Sequence, residues 1–556
     1  MTTQSTTAKR SCSPETLPSA RVRAANLLVV VDELLVCLDT LGLVFGLGVQ
    51  TRALLTEQTH QYHAVHRPVA ARTHNSLPER QRPGIDSCTA ALSDRTARRR
   101  RSDTMTSHLN VIVEGCCHGE LDNIYASIAE VERRRGVKID LLLCCGDFQS
   151  LRAEQDYDAL AVPPKYRELK DFKKYWSGEK KAPVLTIFVG GNHEASNFLG
   201  SLFYGGWVAP NIYYMGAAGC VNVGGWRLVG ASGIWHKRHY QLNHYELRAE
   251  RVDVRDVIRS AYHVREVDVF RLALLGERSV DAVVSHDWPR GVEQYGDAAG
   301  LARRKPHFRD EMQRNDLGSP ANEILLNALK PAHWFSAHLH CKFAALVDHK
   351  DGKAPTRFLA LDKCLPRRDF LQLITVERPK GGPVELEYDA EWLAILIKTH
   401  SLLGFEPPPA RAPPIPEEFQ RPSSSEIAGA RARAEKYCRR AGAPAEAPLR
   451  VPPLSGPPWH PPRHRFNPLQ EANPQTDAFL KMLGLEHVVT VPVTPAMRPC
   501  PPCKPLASTT AHEAAFANAA PPVPPPTTTE SSAVSTPPPP SPPKRPELVL
   551  PPPVND

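Results

Sequence analysis

The chain has 556 residues, 42% of them hydrophobic and 23% charged, a length that excludes one compact core and implies several domains or one domain with disordered flanks. Of its 55 prolines, 17 lie in residues 1–400 and 38 in residues 401–556, so the last quarter is excluded from being mostly helix and central strand. The net charge of +8 is weak ground for nucleic-acid binding, because residues 1–104 alone carry 14 basic and 9 acidic side chains.

Residues 1–104 show short helical patches, few turn signals and no recognisable chemistry. They end in the basic run Arg98–Arg101, shortly before a second methionine, Met105. We read them as an N-terminal extension, disordered or foreign to the native protein, with the basic run as an alternative localisation signal. The apolar stretch from Leu27 to Val49 contains Asp32, Glu33 and Asp39. A central Asp costs roughly 2.5–3.5 kcal/mol on insertion scales, so this is no membrane span, and it does not resemble a signal peptide. The thirteen cysteines are odd in number and irregularly spaced, with adjacent pairs at Cys116-Cys117 and Cys144-Cys145. That pattern implies a reducing compartment rather than a disulfide framework. A soluble intracellular chain with no membrane partner is expected.

After Met105 the texture becomes dense and well punctuated. Asn110–Glu114 reads as a buried strand, and Leu121–Arg135 has helical spacing with Ile124, Ile128 and Val131 on one face. Further strands are expected at Ile139–Leu143, Val184–Val189, Arg227–Gly230, Val280–Val284, His333–Phe335, Lys342–Val347, Arg357–Leu361 and Leu371–Val376. The order implies an α/β layered sandwich, two β-sheets flanked by helices, over residues 105–377. Residues 378–486 form a small C-terminal adjunct whose proline-rich sequence is interrupted once, by a helical pattern in Asn467–Glu486 with Phe479, Met482 and Leu483 on one face. Residues 487–556 read as a low-complexity, disordered tail suited to protein partners. Cys500 and Cys503 have metal-pair spacing, but a structural zinc needs four ligands and no second pair accompanies them.

Five of these strands end in loops rich in metal-ligand residue types. They are Gly115-Cys116-Cys117-His118-Gly119, Cys145-Gly146-Asp147, Gly190-Gly191-Asn192-His193-Glu194, Ser285-His286-Asp287 and Ser336-Ala337-His338-Leu339-His340. Loops at the carboxyl ends of strands converge at one edge of an open α/β sheet. Two divalent ions roughly 3.5–4 Å apart need a bridging carboxylate and several imidazoles. Asp147 is the natural bridge; Cys116, His118 and His340 suit one ion, and Asn192, His286 and His338 the other. His193, beside a ligand but itself unassigned, is placed for proton transfer. Each piece has a bland reading: Gly-Asp is ordinarily a turn, His-X-His a coincidence, Cys116 a small buried hydrophobe, and Asn192-His193 a helix cap. Five such motifs in order, completing two ligand shells, are not explained that way.

The order of motifs resembles the calcineurin-like metallophosphoesterase superfamily, in which Asp-X-His is the usual first motif. Cys116 departs from that pattern and, with longer matches, points to the RNA lariat debranching enzymes. Gly115–Glu120, Leu141–Gln149, Val162–Tyr166, Gly178–Val184, Gly190–Asn197, Tyr204–Tyr214, Ser285–Arg290, Trp334–Leu346 and Phe358–Phe370 all resemble that branch, as does the Asn473–Glu486 island. The resemblance implies two metal ions on the ligand sets above and His193 as general acid. It further implies hydrolysis of the 2′–5′ phosphodiester at the branch point of lariat intron RNA by a metal-activated hydroxide, and a nuclear location. The soft Cys116 thiolate tilts its site toward Fe²⁺ or Zn²⁺, with Mn²⁺ the harder alternative.

The stretch Ser232–Val264 matches the family's lariat recognition loop in position. Its Trp235, His236, Lys237, Arg238, His239 and Tyr240 mix the stacking and phosphate-contacting groups that unpaired RNA needs. Leu247–Val257 departs from the family there. Competing readings keep the dimetal core but give it another phosphoester, a DNA end or phosphoprotein, or make the fold a silent scaffold whose tail recruits partners; no ligand is missing, as the last would require.

Overall fold

A computed structural model describes residues 107–247, 253–378, 384–454 and 471–486. The expectations for residues 1–104, for Cys500 and Cys503, for the tail from 487 and for part of Leu247–Val257 therefore lie outside the described residues.

The expected α/β sandwich is present. Strands β1 (Ser107–Glu114), β2 (Leu141–Cys144), β3 (Leu185–Phe188), β4 (Gly206–Ala209), β5 (Ile212–Tyr214) and β12 (Leu371–Arg378) form one sheet in the order β12-β1-β2-β3-β5-β4. The other holds β6 (Ala218–Val223), β7 (Trp226–Ala231), β8 (Ala282–Ser285), β9 (His333–Ser336), β10 (Phe343–Val347), β11 (Thr356–Ala360) and β13 (Leu386–Tyr388), in the order β10-β11-β9-β8-β7-β6-β13. The centre of each sheet is parallel, β1-β2-β3 in one and β7-β8-β9 in the other.

Both faces of the central strands are buried, which is why they read as continuous apolar runs. Along β1, Val111 and Val113 join Leu141, Leu143, Val284 and Phe335 between the sheets, whereas Ile112 turns outward to Leu121 and Ile124. The helix Leu121–Arg135 buries Leu121, Ile124, Tyr125 and Ile128 on that outer face. It stops at Gly136, whose φ of 64° lets its N–H reach the Glu132 carbonyl.

Strands β4, β5, β6 and β13 were not expected from the sequence, being short and glycine-broken or proline-flanked. Beyond the helix Ala390–Lys398, the proline-rich sequence after residue 403 is interrupted by two helices among the described residues rather than by one. A 17-residue helix, Ser424–Arg440, begins at a capping box between Ser423 and Glu426 and buries Ala430, Ala434 and Cys438. An alanine stripe has little hydrophobic contrast, so the prolines around it mask the pattern. The anticipated second helix runs Pro474–Leu483, capped by Asn473 and by Gly484 at φ 71°. Strand β13 pairs with β6, so the C-terminal adjunct contributes to the second sheet itself. No helix among the described residues is long and apolar enough to cross a membrane.

Candidate metal centre

All five ligand-bearing loops leave the carboxyl ends of β1, β2, β3, β8 and β9. The first three strands are neighbours in one sheet and the last two in the other, so the parallel order within each sheet, with the two sheets packed face to face, brings the loops to a common edge. There the Cys116 Sγ, an Asp147 carboxylate oxygen and ring nitrogens of His118 and His340 all lie within 4.8 Å of one another. His118 Nε2 faces Asp147 Oδ2 at 3.6 Å, while His286 Nε2 faces Oδ1 at 3.3 Å. The carboxylate thus presents one oxygen to each ligand set. His286 Nε2 is also 3.3 Å from Asn192 Oδ1, and the rings of His286 and His338 lie 4.9 Å apart. His286 Nδ1, 2.8 Å from the Cys145 carbonyl, carries the proton and leaves Nε2 free to ligate.

The two adjacent cysteines are separated by the pleat. Cys116 lies between the sheets and its Sγ accepts the His338 backbone N–H at 3.2 Å. Cys117 packs outward with Ile112 and Leu121. His193 belongs to neither ligand set: its backbone N–H donates to Asp147 Oδ1 at 2.8 Å and its ring lies 5.2 Å from that of His118.

The backbone here is under strain. His118 (φ 46°), Asp147 (46°), His338 (60°) and His340 (49°) all occupy the left-handed region, which non-glycine residues rarely enter. Gly191 is required for space, since a Cβ there would stand 2.3 Å from Asp147 Oδ1 and 2.8 Å from His286 Nε2. The site has a brace that sequence reasoning passed over. Glu194, 3% exposed, accepts the N–H groups of Gly191, Phe148 and Gln149 at 2.8–3.0 Å, tying the β2 and β3 loops together. Its place in Gly-Asn-His-Glu was the signal that could have found it.

Whether these residues suit a cation is answered by what they lack. His118 Nε2 and His340 Nε2 are buried without hydrogen-bond partners, a costly arrangement that a bound cation would relieve. Burial lowers His118 to about 4 and His340 to about 3, so both are neutral imidazoles with free lone pairs. Burial, with Asp147 and Glu114 nearby, raises the Cys116 thiol well above its ordinary range. Burial alone would raise Asp147, but the facing His286 outweighs it and holds the carboxyl well down. A thiol, a carboxylate and neutral imidazoles converging with unpaired atoms fit a divalent metal.

The recognition-loop residues divide. Lys237 and Arg238 are exposed. Trp235 and Tyr240 instead pack against each other, tilted by 55° with centroids 4.7 Å apart, and the Trp235 backbone N–H reaches Asp287 Oδ2 at 3.3 Å. His236 and His239 turn toward His263 rather than outward.

This fold and ligand cradle define a calcineurin-like phosphoesterase, and the profile of that family matches residues 109–342. The profile "Lariat debranching enzyme, C-terminal domain" matches residues 353–488. The chain is 45% identical over 394 residues to the lariat debranching enzyme of Arabidopsis thaliana, covering 69% of this chain and 89% of that one. It is 44% identical over 424 residues to that of Drosophila melanogaster, covering 68% and 78%. With lariat debranching enzyme A of Xenopus laevis it shares 54% over 300 residues, 53% of this chain and 55% of that one, so the match spans about half the length of that vertebrate relative. The chain belongs to the lariat debranching enzyme family.

Proposed function

We propose that this protein hydrolyses the 2′–5′ phosphodiester at the branch point of excised lariat introns. The observation that carries the reading is the gathering of Cys116, His118, Asp147 and His340 around one point, with His193 anchored to the bridging carboxylate but outside both ligand sets. Cys116, His118, Asp147 and His340 would hold one divalent ion, and Asp147, Asn192, His286 and His338 a second. Such ions, when bound, supply positive charge to the phosphoryl oxygens and acidify the attacking water. The chain's own groups do the rest. Asp147 keeps the two ligand sets at fixed separation, Glu194 holds their loops in register, and His193 delivers a proton to the departing 2′ oxygen. Lys237 and Arg238, exposed on the loop after β7, are suited to backbone phosphates.

The metals are proposed to be Fe²⁺ or Zn²⁺ at the Cys116 site, with Mn²⁺ as the harder substitute. Cys116→Asp should shift the preference toward Mn²⁺, and Cys117→Ser should leave it alone. Excised introns place the substrate in the nucleus, and the proline-rich tail is proposed to bind protein partners. Purified protein incubated with a synthetic 2′–5′ branched RNA and a linear 3′–5′ control tests the central reading. Debranching with the linear strand intact is expected; equal cleavage of both would replace it with a general phosphodiesterase.

A further inference from the structure

A second group of ligand-type side chains lies outside the candidate dimetal centre. His236, His239 and His263 present ring nitrogens that all fall within 4.8 Å of one another. The arrangement is built by the backbone. The N–H groups of His239 and Tyr240 both donate to the His236 carbonyl, at 3.0 and 3.1 Å, so a tight turn puts His236 and His239 on one side. His263 arrives from the far arm of the loop, held by a short parallel bridge to Ile234. That bridge is closed by Ile234 N–H to the Tyr262 carbonyl and Val264 N–H to the Ile234 carbonyl.

The three rings are close but poorly satisfied. His239 Nδ1 and His263 Nδ1 face each other at 2.8 Å, and the His236 and His263 rings stack with centroids 4.3 Å apart. His236 Nδ1 is buried with no hydrogen-bond partner. A hydrogen-bonded pair of neutral imidazoles would account for the 2.8 Å contact, but it leaves that third nitrogen unpaired at a cost. A shared ion would satisfy all three. Tetrahedral zinc with Zn–N bonds near 2.0–2.1 Å separates its ligand nitrogens by about 3.3 Å, so the His239–His263 edge would open by about half an ångström and the His236 ring, now stacked on His263 at 13°, would turn until both ring planes contain the ion. Burial is the main cause that holds all three imidazoles neutral, with Arg265 adding to it at each and Arg238 at His236; His239 is lowered to about 4 and His263 to about 2. The Arg265 guanidinium opposes a cation, but it is committed to Glu246, Ser260 and the His263 carbonyl.

We propose that His236, His239 and His263 form a three-histidine site for a zinc-class divalent cation. It is separate from the dimetal centre and independent of the function proposed above. Three imidazoles leave a tetrahedral ion one open position, the coordination of a site that takes water or an anionic oxygen.

Metal-stripped full-length protein titrated with Zn²⁺ by equilibrium dialysis tests the site. Wild type should bind about one equivalent more than His236→Gln, His239→Gln or His263→Gln, each checked for a native circular-dichroism spectrum. Folded variants that bind as much zinc as wild type overturn the proposal. A second measurement covers variants that fail to fold. The Cys116→Ser, Asp147→Asn double variant titrated with Co²⁺ should give visible absorption of tetrahedral cobalt without a thiolate charge-transfer band. Absence of that visible absorption overturns the proposal on its own.

Discussion

The metal cradle and the clasp that docks the C-terminal segment are both buried polar assemblies, yet they are built in opposite ways. In the cradle every residue comes from a short motif at a strand end, the backbone is strained, and two imidazole nitrogens are left unpaired. In the clasp Arg152 bonds Asp156 four residues away and Glu471 at a separation of 319, with Asn197 donating to both carboxylates. Gln475 adds a two-way bond to the backbone of Trp207, and Phe479 stacks on Tyr204. The clasp sets one guanidinium between two carboxylates and so ties residues far apart in the chain, although Arg152 Nη1, Asn197 Oδ1 and Glu471 Oε2 keep no hydrogen-bond partner of their own. The cradle instead gathers acceptor atoms of one kind, a thiol sulfur, a carboxylate and imidazole nitrogens, which a bound cation would satisfy together.

That contrast breaks first, and most severely, at Asp147. Asp147→Asn should remove the only carboxylate among the ligands, lower the content of both ions and abolish hydrolysis, measured by plasma emission spectrometry beside turnover of branched RNA. Full activity with full metal would remove Asp147 as the bridge. His193→Ala should separate chemistry from ligation, keeping metal and RNA affinity while losing ~10²–10⁴-fold in rate. Metal lost in proportion to activity would make His193 a ligand.

The clasp should respond in stability instead. Arg152→Met leaves Asp156 and Glu471 facing each other without their cation, and breaking a buried pair from one side costs about 3–5 kcal/mol. Urea denaturation should show that loss with metal stoichiometry unchanged; a fall in bound metal would mean the two regions are coupled. A smaller, pH-dependent effect is expected at Glu246, in neither region. Burial alone would raise its carboxyl, but Arg265 and His244 outweigh it and bring it to about 2 from 4.5. Its contribution is therefore complete above pH 4.5 and is lost as pH falls toward 2, amounting to at most about 3 kcal/mol. Glu246→Gln should flatten the dependence of the urea midpoint between about pH 5 and about pH 3, and an unchanged slope would assign acid sensitivity elsewhere.

The cradle is legible in the sequence because its residues lie within a few positions of strand ends and carry unmistakable ligand chemistry. Spacing and residue type group Cys116, His118, Asp147 and His340, and the fold brings them together. The recognition loop is legible only in outline. Composition marks Trp235 and Tyr240 as aromatic, but nothing local says that they pack against each other. The helix Ser424–Arg440 escapes a reading of the sequence because its buried stripe is alanine and cysteine, whose contrast with neighbouring residues is small.

By itself the sequence determined the α/β alternation, the ligand types and their order, because periodicity and motif chemistry are properties of short segments. Only the tertiary structure decided that Cys117 packs outward, that Glu194 braces two loops, that Arg152 meets Glu471, and that three histidines of the loop converge. Each of those depends on which strand pairs with which, and therefore on burial and distance between residues that the chain keeps far apart.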